Sequence, residues 1–172
     1  MLAFGISDWW FGDLHKALPL PLCSVVLVLT SVLCGTVIGL EREHRAKPAG
    51  VKTVTLICIG STIFTITSIL IAGDSAGARG RIAAQIVTGI GFLGAGAIVR
   101  ERGTIIGLTT GATIWVVSAI GLLIGAGYAA GGLAMTAVVL IVLIALRRSE
   151  TYLHRWARGE QPSKGESDRD QS

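Results

Sequence analysis

Charged side chains that could do chemistry are concentrated directly after the first apolar run of the chain. Glu41, Arg42 and Glu43 stand in succession there, and Lys52 follows in the next connecting segment. Carboxylates are the hard oxygen ligands that Mg²⁺ takes, but residues two positions apart on a helix diverge by about 200°. Glu41 and Glu43 are therefore not expected to hold one ion together while helical. Two alternatives stay open: a solvated, ion-paired loop, or one carboxylate that faces the other helices and pairs with a basic residue such as Lys52, Arg81 or Arg100.

A glycine-rich run is the second feature that could carry chemistry. Gly89-Ile-Gly-Phe-Leu-Gly94 matches the G-x-G-x-x-G pattern of dinucleotide sites, but that fingerprint requires a preceding strand and a downstream acidic residue. Here the pattern lies inside an apolar run that is bracketed by arginines. Close helix packing, or a break in a helix, is the better interpretation. The glycines concerned are Gly89, Gly91, Gly94 and Gly96.

Hydroxyl and amide side chains form short polar stripes within the apolar runs. The stripes are Ser61 with Thr65 and Ser68, Gln85 with Thr88, and Thr109 with Thr113. Hydrogen bonds between or within helices explain such stripes, and the lining of a small polar cavity is the alternative. Acidic residues and histidines lie outside the deep parts of these runs, and the runs show no metal-ligand cluster and no nucleophile with a nearby base. The sequence therefore predicts a protein that is not an enzyme and needs no cofactor.

The composition requires elements that cross a membrane. Of the 172 residues, 51% are hydrophobic and only 15% are charged, which excludes an ordinary soluble domain. Five apolar segments are each long enough to span a bilayer: residues 22–40, 54–72, 82–99, 104–125 and 128–146. We predict an all-α, polytopic bundle of five transmembrane helices over residues 22–146. Residues 1–21 are predicted to be an N-terminal interfacial segment, and residues 147–172 a basic juxtamembrane and disordered cytoplasmic tail.

The basic residues are distributed unequally between the two sides of such a bundle. Twelve fall in the first and third loops and the C-terminal tail, and three fall on the opposite side. The positive-inside rule then places the N-terminus outside and the C-terminus in the cytoplasm. The basic pI of 9.3 reflects this topology, so the lipid bilayer is the expected partner and nucleic acid is not.

Three motifs, in this order and spacing, resemble the MgtC/SapB family of bacterial inner-membrane proteins. They are Gly39-Leu-Glu-Arg-Glu with Lys47-Pro-Ala-Gly-Val-Lys-Thr, then Arg81 to Ile98, then Gly107-Leu-Thr-Thr-Gly-Ala-Thr-Ile-Trp. The resemblance marks a functional charge cluster: Glu41, Arg42, Glu43, Lys52, Thr53, Arg81 and Arg100. It also marks a group with packing or cavity roles, which adds Thr110 and Trp115 to the four glycines, Gln85, Thr88 and Thr109. The chain departs from the family pattern at Lys52, where arginine is usual, and in the residues before Arg81.

The resemblance implies adaptation to low magnesium, through docking to a membrane partner that family members suggest is the ATP synthase. A transporter or channel for Mg²⁺ or another small solute is the alternative, which the lack of an intramembrane carboxylate disfavours. Some members carry a cytosolic ACT-like domain after the last helix, and this chain is expected to be a short form without it. A homo-oligomer and the identity of any metal are left open.

Overall fold

A computed structural model describes residues 20–72, 76–101 and 103–157 of the chain. These residues form five helices and one β-hairpin: α1 Leu20–His44, α2 Val51–Ala72, α3 Ala76–Gly96, β1 Val99–Glu101, β2 Thr104–Ile106, α4 Leu108–Gly125 and α5 Ala129–Ala157. The predicted interfacial segment lies outside the described residues, except for its last two positions. The polar end of the predicted tail, residues 158–172, lies outside them too.

Glycines allow α1 to pack directly on the backbone of α2. A Cβ on Gly35 would lie 2.7 Å from the Cα of Thr55, and one on Gly39 would lie 2.6 Å from the Cα of Val51. The hydroxyls of Thr36 and Thr55 are 3.3 Å apart across the same contact. This is the close backbone approach that small residues permit between helices in lipid.

The buried core comes mainly from α1, α2 and α4, and hydroxyls supply polar contacts where α2 meets α4. Ser61 and Ser118 share a hydrogen bond of 2.7 Å, and Thr62 donates to the carbonyl of Gly121 at 3.0 Å. Thr65 donates instead to the carbonyl of Ser61 in its own helix, at 2.7 Å. The stripe on α2 therefore serves hydrogen bonding between and within helices, which is the first of the two interpretations given above.

A β-hairpin separates α3 from α4, and here the predicted boundaries of the third and fourth segments were wrong. Residue 99 belongs to β1, residues 104–106 form β2, and Val99 pairs with Ile106 in antiparallel register. Gly103 and Gly107 have φ of 87° and 88°, which glycine adopts without strain. Gly107 also meets the carbonyl of Ala97 so closely that no Cβ would fit. The hairpin therefore occupies residues that the sequence assigned to the two spans, and α4 begins only at Leu108.

The last two helices are separate, as predicted, and the fifth helix is longer than the predicted span. Gly127, with φ of 102°, follows α4 and donates its N–H to the carbonyl of Ile124 at 2.9 Å. Helix α5 then continues to Ala157, past residue 146, where the predicted span ends. The chain divides into two compact units between Val138 and Val139, and α5 crosses that boundary.

Three of the described helices are long and apolar enough to cross a membrane. They are Leu22–His44, Val51–Ile71 and Leu108–Gly125. Two shorter apolar helices, Ala83–Gly96 and Ala129–Ala145, correspond to the other two predicted spans. The fold is thus a mostly helical membrane protein, and five spans remain a prediction.

Candidate functional site

The end of α1 carries charges into the interior. Arg42 is only 2% exposed, and its Nη2 donates a hydrogen bond of 2.9 Å to the hydroxyl of Thr110 in the first turn of α4. Glu41 forms an ion pair with Arg45 one turn later, and its side chain is 9% exposed. Glu41 Oε2 and Arg42 Nε are buried without a hydrogen-bond partner among the described residues. The Arg42 guanidinium is therefore a buried cation whose hydrogen bond among the described residues goes to a neutral hydroxyl.

Glu43 points away from these residues, and its carboxylate contacts the start of the next helix. Its Oε2 accepts a hydrogen bond of 2.8 Å from the backbone N–H of Val51, the first residue of α2. The carboxylate therefore acts as an N-cap supplied from the preceding helix. Glu41 and Glu43 do diverge, and Glu41 has Arg45 as its partner instead of the Lys52, Arg81 or Arg100 expected from the sequence.

A groove lies between α2 and α3, with α4 at its base. We call it the α2–α3 groove, and its volume is about 1040 Å³. Its wall is mostly apolar, and its polar members are Lys52, Thr53, Ser61, Gln85 and Thr110. Lys52 is the only charged residue among the described residues that line it. Gly89 and Gly96 also line the groove, and a Cβ at either position would meet no atom within 4 Å.

The outer face of α3 consists of small residues along its whole length. We call it the small-residue strip of α3: Gly77, Gly80, Ala84, Thr88, Gly91 and Ala95. Their spacing of three or four places them on one side of the helix, and all six are exposed. The Thr88 hydroxyl is bonded to the Ala84 carbonyl at 3.0 Å, so the strip presents no polar group that needs a partner.

Gly94 is the glycine of this run that packs inside the protein. It lies against α4, where a Cβ on the facing Gly111 would be 2.8 Å from the Gly94 carbonyl oxygen. A Cβ on Gly91 would meet nothing within 4 Å. The close helix packing that the sequence predicted for these glycines therefore has a structural basis at Gly94 and none at Gly91.

The predicted site residues are brought together only in part. Arg42 with Thr110, and Lys52 with Thr53, meet near one end of the α2–α3 groove. Arg81, Arg100, Thr109 and Trp115 are exposed and do not line the groove. The sequence did not predict the contact of Arg42 with Thr110, because 68 residues separate the two. Both positions did stand in the motifs that carry the family resemblance.

Comparison with known proteins identifies a family and several relatives that are similar to this chain in sequence. The profile of the MgtC family matches residues 28–152. Protein MgtC of Salmonella typhimurium is 43% identical over 125 residues, which cover 73% of this chain and 53% of that protein. Protein MgtC of Brucella abortus is 44% identical over 115 residues, covering 67% and 48%. An uncharacterized protein of Synechocystis is 40% identical over 131 residues, covering 76% and 55%. The chain spans about half the length of these relatives, and no solved structure matches it.

Proposed function

Because the chain belongs to the MgtC family of membrane proteins, we propose that it is a non-enzymatic, multi-pass protein of the bacterial inner membrane that docks to another membrane protein. The family resemblance supports a role in adaptation to low magnesium and supports the ATP synthase as the partner. The observation that carries docking is the small-residue strip of α3, which is exposed over six positions.

Physical chemistry explains why such a strip favours a helix as its neighbour. Lipid tails are as apolar as leucine side chains. Helices in a membrane therefore associate through close packing and not through a hydrophobic driving force. Small residues permit that packing because two backbones can approach closely. Inside this protein the same device joins α1 to α2 at Gly35 and Gly39. The strip offers an equivalent surface with no partner helix on it among the described residues.

Transport of Mg²⁺ is the alternative function, and the α2–α3 groove gives it little support. Among the described residues that line the groove, the charged one is a lysine and none is a carboxylate. A cation would be repelled by Lys52 and would find few oxygen ligands along an apolar wall. Uptake of Mg²⁺ by liposomes that contain the purified protein, above the level of empty liposomes, would favour transport over docking.

The proposal includes five spans with the N-terminus outside the cytoplasm. It is supported by the distribution of basic residues and by the five apolar helices, of which two are short. Reporter fusions after Lys47, Arg102 and Arg158 are expected to be cytoplasmic, and a fusion after Gly77 periplasmic. A periplasmic reporter after Arg158 would contradict both the number of spans and their orientation.

Docking is tested by two matched substitutions on α3. Gly91→Leu places bulk on the small-residue strip, whereas Gly89→Leu places the same bulk about 200° away in the α2–α3 groove. Neither added Cβ would meet an atom of this protein within 4 Å, so both variants are expected to fold. Gly91→Leu should abolish growth in low Mg²⁺ in a host that depends on this protein, and should abolish cross-linking of Ala84→Cys to ATP synthase subunits.

Gly89→Leu should retain the cross-link at unchanged protein level. If Gly91→Leu supports growth and cross-linking as well as the wild type, the strip is not the docking surface. If growth depends on Gly91 but the ATP synthase is never cross-linked, docking stands and the partner is a different protein.

A further inference from the structure

The α2–α3 groove has the length of one membrane leaflet. Its lining runs from Lys52 to Phe64 on α2, and from Gln85 on α3 to Ala97, the residue that follows α3. At 1.5 Å per residue, each stretch is about 18 Å long, and half of the hydrocarbon core of a bilayer is about 15 Å. An acyl chain that lies parallel to the helices would therefore fill the groove from the interface to the middle of the membrane.

The basic end of the groove lies at the membrane interface. Lys52 is the second residue of α2 and stands at the start of a candidate span, and its side chain is exposed. It makes no hydrogen bond or ion pair with the described residues. Ala97 and Thr110 line the same end, because α3 reaches α4 where Gly94 contacts Gly111.

A second positive charge lies directly behind this end of the groove. The Arg42 guanidinium donates to the Thr110 hydroxyl at 2.9 Å, so one side chain separates the cation from the groove. Arg42 is only 2% exposed, and its Nε has no hydrogen-bond partner among the described residues. Thr110 also lies in the first turn of α4, which contains no acidic residue, and the amino end of a helix carries a partial positive charge.

The nearby carboxylates do not cancel this charge by contact. Glu41 is paired with Arg45, and Glu43 accepts the N–H of Val51. An apolar groove of leaflet length, with a lysine at the interface that has no partner among the described residues, is complementary to an anionic amphiphile. Basic pockets between transmembrane helices bind anionic lipid headgroups in this manner.

We propose that the α2–α3 groove binds an anionic phospholipid, with one acyl chain between α2 and α3 and the phosphate at Lys52. The site is independent of docking by the small-residue strip, which lies on a different face of α3. Phosphatidylglycerol is the probe for the test, and phosphatidylcholine with the same acyl chains measures the contribution of the headgroup charge.

Native mass spectrometry of the full chain, titrated with each lipid in detergent, gives the apparent affinity for the first bound lipid. The wild type is expected to prefer phosphatidylglycerol. Lys52→Gln should weaken binding of phosphatidylglycerol about fivefold, the equivalent of about 1 kcal/mol for one basic residue at an anionic headgroup. It should weaken binding of phosphatidylcholine less, because the choline cation neutralises the phosphate of that lipid. Lys47→Gln is the matched control, because Lys47 is exposed and does not line the groove.

Comparison of Gly89→Leu with Gly91→Leu distinguishes lipid binding in the groove from lipid binding elsewhere on α3. Gly89→Leu fills the groove and should weaken the binding of both lipids, whereas Gly91→Leu should weaken the binding of neither. The proposal is overturned if Lys52→Gln binds phosphatidylglycerol as the wild type does, or if Gly89→Leu and Gly91→Leu bind lipid equally well. Displacement of the bound lipid by excess inorganic phosphate would also overturn it, since the site would then recognise free phosphate.

Discussion

Replacement of Gly121 by alanine is expected to force α2 and α4 apart. A Cβ at this position would lie 2.8 Å from the Cβ of Ser61 and closer still to the carbonyl oxygen of Cys58. A backbone carbonyl inside a helix cannot move aside as the end of a flexible side chain can. The helices must therefore separate, which also stretches the 3.0 Å hydrogen bond from Thr62 to the Gly121 carbonyl.

The expected loss follows from three contributions. Overpacking of a well-packed contact costs about 1–3 kcal/mol, and a weakened interhelical hydrogen bond in a membrane protein adds about 0.6 kcal/mol. Alanine recovers about 0.5–1 kcal/mol because it restricts the unfolded chain more than glycine does. The net effect is a decrease of about 1–3 kcal/mol in the free energy of unfolding.

Gly60→Ala is the matched control on the partner helix. A Cβ on Gly60 would meet nothing within 4 Å, so this variant is expected to gain about 0.5–1 kcal/mol. Titration with SDS in mixed micelles, followed by far-UV circular dichroism, measures both free energies of unfolding. If Gly121→Ala is as stable as Gly60→Ala, the close contact between α2 and α4 is not a determinant of stability and the reasoning fails.

Two further predictions concern the charged end of α1 and use the same unfolding assay. Thr110→Val removes the hydroxyl that accepts from buried Arg42 and should cost about 1.5–3 kcal/mol, whereas Thr109→Val, at the exposed neighbouring position, should stay within about 0.5 kcal/mol; equal losses would contradict the assignment. Glu43→Ala removes the acceptor for the Val51 N–H and should cost about 1 kcal/mol, whereas Glu43→Gln retains an acceptor and should lose less. A Glu43→Ala protein as stable as the wild type would show that the cap is not formed in the membrane.

Local signals explain which parts of the fold could be predicted. The break between α1 and α2 follows from Pro48 and Gly50, because proline and glycine close together favour a turn over a continuous helix. The β-hairpin could not be predicted from hydropathy, because Ile105 and Ile106 are as apolar as residues of a span. The hairpin depends on positive φ at Gly103 and Gly107, and a glycine in a glycine-rich chain does not reveal its φ.

The site was less predictable than the fold because its contacts are long-range. Alternating charges at a helix end indicate hydration, yet the residue that enters the interior is Arg42, which reaches Thr110 on α4. The sequence did predict that small residues would bring helices together. Spacing alone could not tell the internal contact at Gly94 from the exposed position of Gly91, since both lie on regular small-residue repeats.

Helix α3 combines three surfaces that must be covered by different neighbours. Gly94 faces α4, the side with Gly89 faces the α2–α3 groove, and the side with Gly91 is the small-residue strip. A surface of small residues makes few dispersion contacts with mobile lipid tails. When another helix packs on it, it therefore gains more dispersion energy than a bulky surface does. The groove, with bulky Phe92 and Leu93 along its edge, suits a flexible acyl chain better than a rigid helix. If both proposals hold, one helix separates a lipid site from a docking site, and leucine at position 89 or at position 91 should impair one of them without the other.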